Sequence, residues 1–189
     1  MDGFAHQILQ LDAGTLEWIQ SVRWAPITPF FVILSAWWVK GPILLALAAG
    51  RDIGRRRLPF AAACGTVSVA LASLMSGLLK VLVDRPRPAV SDHSISPIVA
   101  TPDSPSFPSG HTTTAFAAAV AISIVEPRLK VPMLVIAGLV GISRVYLGVH
   151  FVIDVVAGAL LGAALGAGIG LAARALIRQM QHRDAVAHA

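Results

Sequence analysis

Apolar residues in this chain come in long runs, and the polar residues gather in the gaps between them. Runs over 58–83, 111–125, 131–147 and 151–177 approach or exceed the roughly 20 residues with which an α-helix crosses about 30 Å of hydrocarbon. The second is short by itself, but it can extend backward through Ser109 and forward to Glu126. A fifth run, 27–50, is long enough yet interrupted by Lys40, Gly41 and Pro42. Proline lacks an N–H and clashes with the preceding turn, so this run reads either as one bent span or as an interfacial half-helix followed by a span. Ahead of it, Phe4, Ile8, Leu11, Ile19 and Val22 recur at steps of three or four, with a gap at Gly14, among Gln7, Gln10 and Glu17. That pattern predicts an amphipathic helix lying on the membrane surface.

The predicted fold is therefore all-α: a polytopic membrane helical bundle of about five spans, with six as the alternative, and an N-terminal amphipathic helix. Residues 1–25 form the interfacial segment, 26–180 the transmembrane domain and 181–189 a cytoplasmic tail. Composition agrees. Of 189 residues, 56% are apolar and 13% charged, and mean hydropathy is +0.73; a soluble fold of this length needs more charge on its surface. A net charge of +5 would suit a nucleic-acid partner, but the basic residues sit in short clusters between apolar runs, which is a topology signal first. Arg51, Arg55, Arg56 and Arg57 form one cluster, Arg128 and Lys130 a second, and Arg174, Arg178 and Arg183 a third. With five spans these share one side, and positive charge marks it as cytoplasmic. The N-terminus is then outside, and the segment 84–108 and the turn around Gly148 lie on the outer face. Cys64 is the single cysteine, so no intrachain disulfide exists. The first residues lack the charged and apolar regions of a cleaved signal peptide, and the mature chain is expected to begin at or near Met1. Gly158, Gly162, Gly166 and Gly170 stack on one helical stripe, which predicts close helix packing within a monomer rather than a dimer seam, with a weak homodimer as the alternative.

Charge beside or inside a span is costly and calls for a reason. Lys80 and Arg87 fall in the spacing K-x6-R-P, Arg144 follows Ser143 near the end of the fourth span, His111 opens the third after Pro108, Ser109 and Gly110, and His150 and Asp154 open the fifth. In the five-span arrangement all of them converge on the outer leaflet, as a site for a tetrahedral anion would require. Arginine forks suit phosphate oxygens, and Lys80 adds a compact cation. The helix beginning after Ser109 presents N–H groups without intrahelical partners, an end that attracts anions, and Gly110 permits close approach. The i,i+4 spacing lets Asp154 fix one nitrogen of His150 and leave the other free to attack; His111 is then available as proton donor. Read singly, each piece has a plainer meaning: a basic cluster at the membrane edge, a capped turn, a polar pair between helices. Arg85 reads as a surface charge beside the first block, and His93, near Asp92, as a solvated loop histidine. His6, His182 and His188 carry no assigned role.

Taken together, KVLVDRPRP at 80–88, PSGH at 108–111 and SRVYLGVHFVID at 143–154 resemble, in order, the three signature blocks of the type 2 phosphatidic acid phosphatase superfamily, across about 75 residues. The resemblance implies that His150 is the nucleophile, His111 the general acid and Asp154 the carboxylate that orients His150. It places phosphate binding on Lys80, Arg87, Ser109, Gly110 and Arg144. It further implies an enzyme without metal or cofactor that acts on a lipid phosphate or polyprenyl diphosphate; the basic clusters put the site on the extracytoplasmic face, and the short, compact chain suggests a bacterial plasma membrane. Soluble acid phosphatases and vanadium haloperoxidases share the blocks, but the membrane composition and short length argue against them. A phosphate-lipid binder or transporter is the reading from a different class; it would need the cations but not an oriented histidine facing a second one.

Overall fold

The computed structural model describes residues 2–36, 42–54 and 60–187. The described elements are helical: α1 (Asp2–Ser21), α2 (Thr28–Leu34), α3 (Leu44–Gly54), α4 (Phe60–Val83), the short α5 (Pro88–Ser91), α6 (Gly110–Val125), α7 (Lys130–Tyr146) and α8 (Val152–Ala187). Among the described residues, three stretches, Phe60–Ser91, Pro127–Tyr146 and Val152–Arg183, are long and apolar enough to cross a membrane. The expected third span, α6, has 16 residues, only about 24 Å at 1.5 Å per residue. Of the expected break in the first run, Lys40 and Gly41 lie outside the described residues, as do Arg55, Arg56, Arg57 and His188. α8 is 36 residues long and passes position 180 without a break.

The arrangement centres on α6, which packs most extensively on α8 and then on α4 and α7. Its side chains explain why a helix can be surrounded: Thr112, Thr113, Thr114, Ala115, Ala117, Ala118, Ala119 and Ala121 are all buried and all small. The glycine stripe of α8 faces this helix. A methyl group added at Gly162 would lie 2.2 Å from the Thr113 carbonyl oxygen, one at Gly166 2.3 Å from that of Ala117, and one at Gly158 2.8 Å from that of Ser109. Both series rise together along the chain, so α6 and α8 run parallel with their N-termini side by side. The stripe is used inside the chain, as small residues permit in lipid. A core of Leu44, Ala61, Ile122, Met133, Ala137 and Val140 joins α3, α4, α6 and α7.

The N-terminal helix does more than lie flat on a surface. Leu16 is buried with Ile95, Val145 and Phe151, so α1 is docked across the ends of α7 and α8. Beyond it, Arg23 Nε donates to the Tyr146 carbonyl at 3.0 Å and Nη1 to that of Ser96 at 2.7 Å. Trp18 and Trp24 remain exposed at this level of the bundle, as interfacial aromatics do. The side chains of Phe4, Ile8 and Leu11 lie outside the described residues.

Candidate active site

Four helix ends meet at one pole of the bundle: the C-termini of α4 and α7 and the N-termini of α6 and α8. α4 ends where Asp84 takes a positive φ of 46°, and the chain continues extended through Arg85 and Pro86 into α5. α7 ends in a Schellman motif: Gly148 has φ 75°, its N–H donates to the Val145 carbonyl at 2.9 Å, and the Val149 N–H donates to that of Arg144 at 3.2 Å. Glycine is the residue that adopts this left-handed turn without cost from a Cβ. The turn reverses the chain so that Val149 and His150 sit directly ahead of α8.

Lys80, Arg87, Gly110, His111, Arg144 and His150 line one cavity of about 290 Å³, together with Ser73, Ser76, Gly77 and Thr114 from α4 and α6 and a roof from Pro102 and Ser104. Six of the eight residues singled out from the sequence thus face a common space. Arg87 is buried and held on three sides, with Nε donating to the Ser104 carbonyl at 2.8 Å, Nη1 to that of Val149 at 2.9 Å and Nη2 to the Ser104 hydroxyl at 3.2 Å. Lys80 Nζ donates to the carbonyls of Pro105 and Ser106. Arg144 is also buried; its Nη1 donates to the Ser35 hydroxyl, while its Nε is buried with no hydrogen-bond partner. A buried, unpartnered guanidinium nitrogen costs free energy unless an acceptor arrives.

Asp154 stands behind His150, fully buried. Its Oδ2 lies 3.4 Å from His150 Nδ1, accepts the Phe151 N–H at 3.0 Å and accepts the Ser106 hydroxyl; its Oδ1 accepts Arg85 Nη1 at 2.7 Å. The acceptance from Phe151, the residue ahead of α8, is half of a capping box. His150 Nε2 faces Arg87 Nη1 at 3.4 Å. An arginine only donates, so Nε2 carries the lone pair and Nδ1 the proton, the tautomer that leaves Nε2 nucleophilic toward the cavity. Burial holds the imidazole below the ordinary histidine value; its hydrogen bond to Asp154 opposes this, and the charges of Arg144 and Arg87 add smaller lowering effects. A shift in this direction favours the neutral imidazole.

Two sequence expectations take a different form. Ser109 is fully buried behind the cavity: its hydroxyl accepts Thr112 Oγ1 at 2.9 Å and its N–H donates to the Asp154 carbonyl at 3.0 Å. That N–H ties α6 to α8, so it is already engaged, and Gly110 is the block residue that opens on the cavity. Arg85, read as a surface charge, is instead an inner residue whose side chain is 13% exposed and bridges Asp154 to Asp12. Sequence reasoning missed Ser106, Ser104 and Asp12 as well; Asp12 is a carboxylate on an otherwise amphipathic helix, and nothing local marks it. His93 is exposed, as expected of a loop position.

Residues 61–178 match the family model described as the PAP2 superfamily. The chain is 36% identical over 98 residues to a lipid A 1-phosphatase of Rhizobium etli, covering 48% of this chain and 41% of that protein. It is 36% identical over 128 residues to a decaprenylphosphoryl-5-phosphoribose phosphatase of Mycolicibacterium smegmatis, covering 66% and 63%. To the undecaprenyl-diphosphatase of Bacillus subtilis it is 29% identical over 114 residues, covering 60% and 56%. Its matches thus span less than two thirds of the length of these relatives. Among solved structures, a transmembrane PAP2-type phosphatidylglycerolphosphate phosphatase from Bacillus subtilis superposes with a TM-score of 0.72 at 26% identity, covering 92% of this chain and 87% of that one. With the three blocks gathered at one pole of an all-helical membrane bundle and the family model spanning most of the chain, this protein belongs to the PAP2 superfamily.

Proposed function

We propose that the protein is an integral-membrane lipid phosphatase that removes the terminal phosphate of a polyprenyl diphosphate through a phosphohistidine intermediate. The observation that carries the reading is the charge of the cavity: Lys80, Arg87 and Arg144 line it, no carboxylate among the described residues does, and Arg144 Nε is buried without an acceptor among them. Such a space favours an anion with several oxygens, and no metal or cofactor is invoked to hold it. His150 Nε2 attacks phosphorus as the bond to the lipid oxygen breaks, and His111 gives that oxygen its proton. Water then attacks the phosphohistidine, His111 takes the water proton, and the P–N bond breaks to release phosphate. The cations stabilise charge on the equatorial oxygens throughout, which is where most of the acceleration in phosphoryl transfer arises.

Ser73, Ser76, Gly77 and Lys80 lie three or four apart on α4, and Ser73 and Gly77 are exposed. The cavity therefore continues to the lipid-facing side of α4, which supports sideways entry from the bilayer with only the phosphate end enclosed. Arg128 and Lys130 at the start of α7 and Arg174, Arg178 and Arg183 in the last turns of α8 lie at the helix ends away from the cavity, supporting an extracytoplasmic site. Carrier-lipid recycling in a bacterial plasma membrane fits that placement and the undecaprenyl-diphosphatase relative. A glycerophospholipid phosphate is the second reading, favoured by the likeness to the phosphatidylglycerolphosphate phosphatase. The test is phosphate release by purified protein, with and without chelator, from undecaprenyl diphosphate, phosphatidic acid and phosphatidylglycerol phosphate. The fastest turnover is expected on the diphosphate, insensitive to chelator and abolished in His150→Ala. Wild-type rates in that variant refute the mechanism, and preference for phosphatidylglycerol phosphate refutes the substrate.

A further inference from the structure

Behind His150 and Asp154 lies a charged contact that the reaction scheme leaves unused. Arg85 spreads its fork between two carboxylates, with Nη1 2.7 Å from Asp154 Oδ1 and Nη2 2.9 Å from Asp12 Oδ2. Its guanidinium carbon also sits 4.0 Å from the centre of the Phe151 ring, so the plane is fixed by stacking as well as by hydrogen bonds. Asp12 has a second task. Its other oxygen accepts the N–H groups of Val152 at 2.8 Å and Ile153 at 3.3 Å, the first two residues of α8. A capping carboxylate normally comes from the residue just ahead of the helix; here it is supplied by a different helix, 140 positions away in the chain.

We propose that Asp12 and Arg85 form a positioning unit that holds Asp154 against His150 and balances the charge behind the nucleophile, making the N-terminal helix α1 part of the active site's construction. The inference rests on the reading of His150 as nucleophile and Asp154 as its orienting carboxylate. Arg85 alone would give Asp154 a full counter-charge and weaken its hold on an imidazole that becomes positive during attack. Asp12 shares that positive charge, so the three groups together carry one net negative charge toward His150. The cap on α8 fixes the same helix turn that carries Asp154. α1 is itself fastened: Gln20 Oε1 accepts the Ser96 N–H at 2.7 Å and Gln20 Nε2 donates to the Ser94 carbonyl at 3.0 Å.

The charged groups around His150 come from every neighbouring element: Asp154 on α8, Arg87 ahead of α5 and Arg144 on α7, with Lys80 of α4 and His111 of α6 on the same cavity. Neither Asp12 nor Arg85 lines that cavity, so substitutions there should lower kcat while leaving KM within about twofold. The signs of the pH effects differ. Arg85→Gln removes a positive charge, raises the His150 pKa and moves the acid limb of kcat/KM to higher pH. Asp12→Asn leaves Arg85 uncompensated and moves that limb to lower pH.

The experiment measures phosphate release from the fastest of the three lipids above, against pH, for Asp12→Asn, Arg85→Gln, the double variant and His150→Ala. Each single variant is expected to lose at least about tenfold in kcat, and the double variant to lose much less than the product of the two, because the residues act as one unit. Additive losses, limbs that move in the same direction, or single variants within twofold of wild type overturn the proposal while an inactive His150→Ala leaves the nucleophile assignment standing. An active His150→Ala overturns that assignment instead. If Asp12→Asn does not fold, Arg85→Lys decides: one ammonium cannot span both carboxylates as the fork does, and an unchanged kcat and pH profile in it overturn the proposal.

Discussion

Ser106→Ala isolates the hydroxyl that lies between the two groups proposed to form and orient the nucleophile. Ser106 is fully buried, donates to Asp154 Oδ2 and sits 3.4 Å from His150 Nδ1. Its own N–H is held by the Arg85 carbonyl at 2.7 Å, so the backbone stays in place when the side chain is cut. Removing the hydroxyl leaves Oδ2 with the Phe151 N–H and the imidazole, and a buried carboxylate short of one donor. A hydrogen bond to a charged group contributes about 1.5–3 kcal/mol, which corresponds to about 10- to 150-fold in rate if the interaction holds Asp154 in register during attack. Ser106 does not line the cavity, so the loss is expected in kcat with KM little changed. Steady-state phosphate release on the purified variant, with thermal unfolding as a control, provides the measurement. A kcat within threefold of wild type, or a rise as His150 closes on Asp154, would falsify the argument that this hydroxyl holds the pair.

Further outcomes follow from the same geometry. Gly162→Ala forces a methyl against the Thr113 carbonyl at 2.2 Å; overpacking of this kind costs about 1–3 kcal/mol, and thermal unfolding should show a lowered midpoint, with an unchanged one refuting the close approach of α6 and α8. His111→Ala should depress hydrolysis of a lipid monophosphate more than of a diphosphate, whose leaving group needs the proton less; equal losses on both would remove the acid role. His93→Cys and Leu129→Cys, each in a Cys64→Ser background, should label with an impermeant thiol reagent from outside and inside cells respectively. The reverse pattern would put the site on the cytoplasmic face.

What could be read along the chain and what could not divides by the reach of the signal. The expected helix over 131–147 and the observed Lys130–Tyr146 differ by one residue at each end, because a proline-marked start and a glycine-marked stop are local. Lys80, Arg87, Gly110, His111, Arg144 and His150 were legible as positions because each falls at or beside the end of an apolar run, and their grouping followed from the three blocks taken together. Ser109 was legible as a position but not in its use: only the parallel approach of α6 and α8 directs its N–H to the Asp154 carbonyl. Arg85 and Asp12 are 73 residues apart, and no periodicity in either segment reports that they meet. The count of spans was hardest, since 16 residues in α6 can suffice for a helix that protein surrounds on most sides, whereas the length rule assumes a helix that meets lipid.

The parallel pairing of α6 with α8 links the membrane architecture to the proposed chemistry. His111 lies in the first turn of α6, and Asp154, the carboxylate proposed to orient His150, in the first turn of α8, so the spacing of the proposed proton donor and nucleophile depends on how closely and in what register these helices pack. In lipid the hydrophobic effect gives little drive to bring helices together, and close van der Waals contact must serve. The glycine stripe provides that contact from Gly158 to Gly170, each glycine against a backbone oxygen four residues further along α6. At the top of the same seam the Ser109 N–H meets the Asp154 carbonyl, which locks the two first turns together. Side chains large enough to slide or re-pack would leave that distance soft, and a displacement of about 1 Å can cost on the order of a hundredfold in rate. Glycine and alanine along the seam therefore serve more than stability in the proposed reaction: they fix the helix ends that would set His111 and His150 across one phosphate.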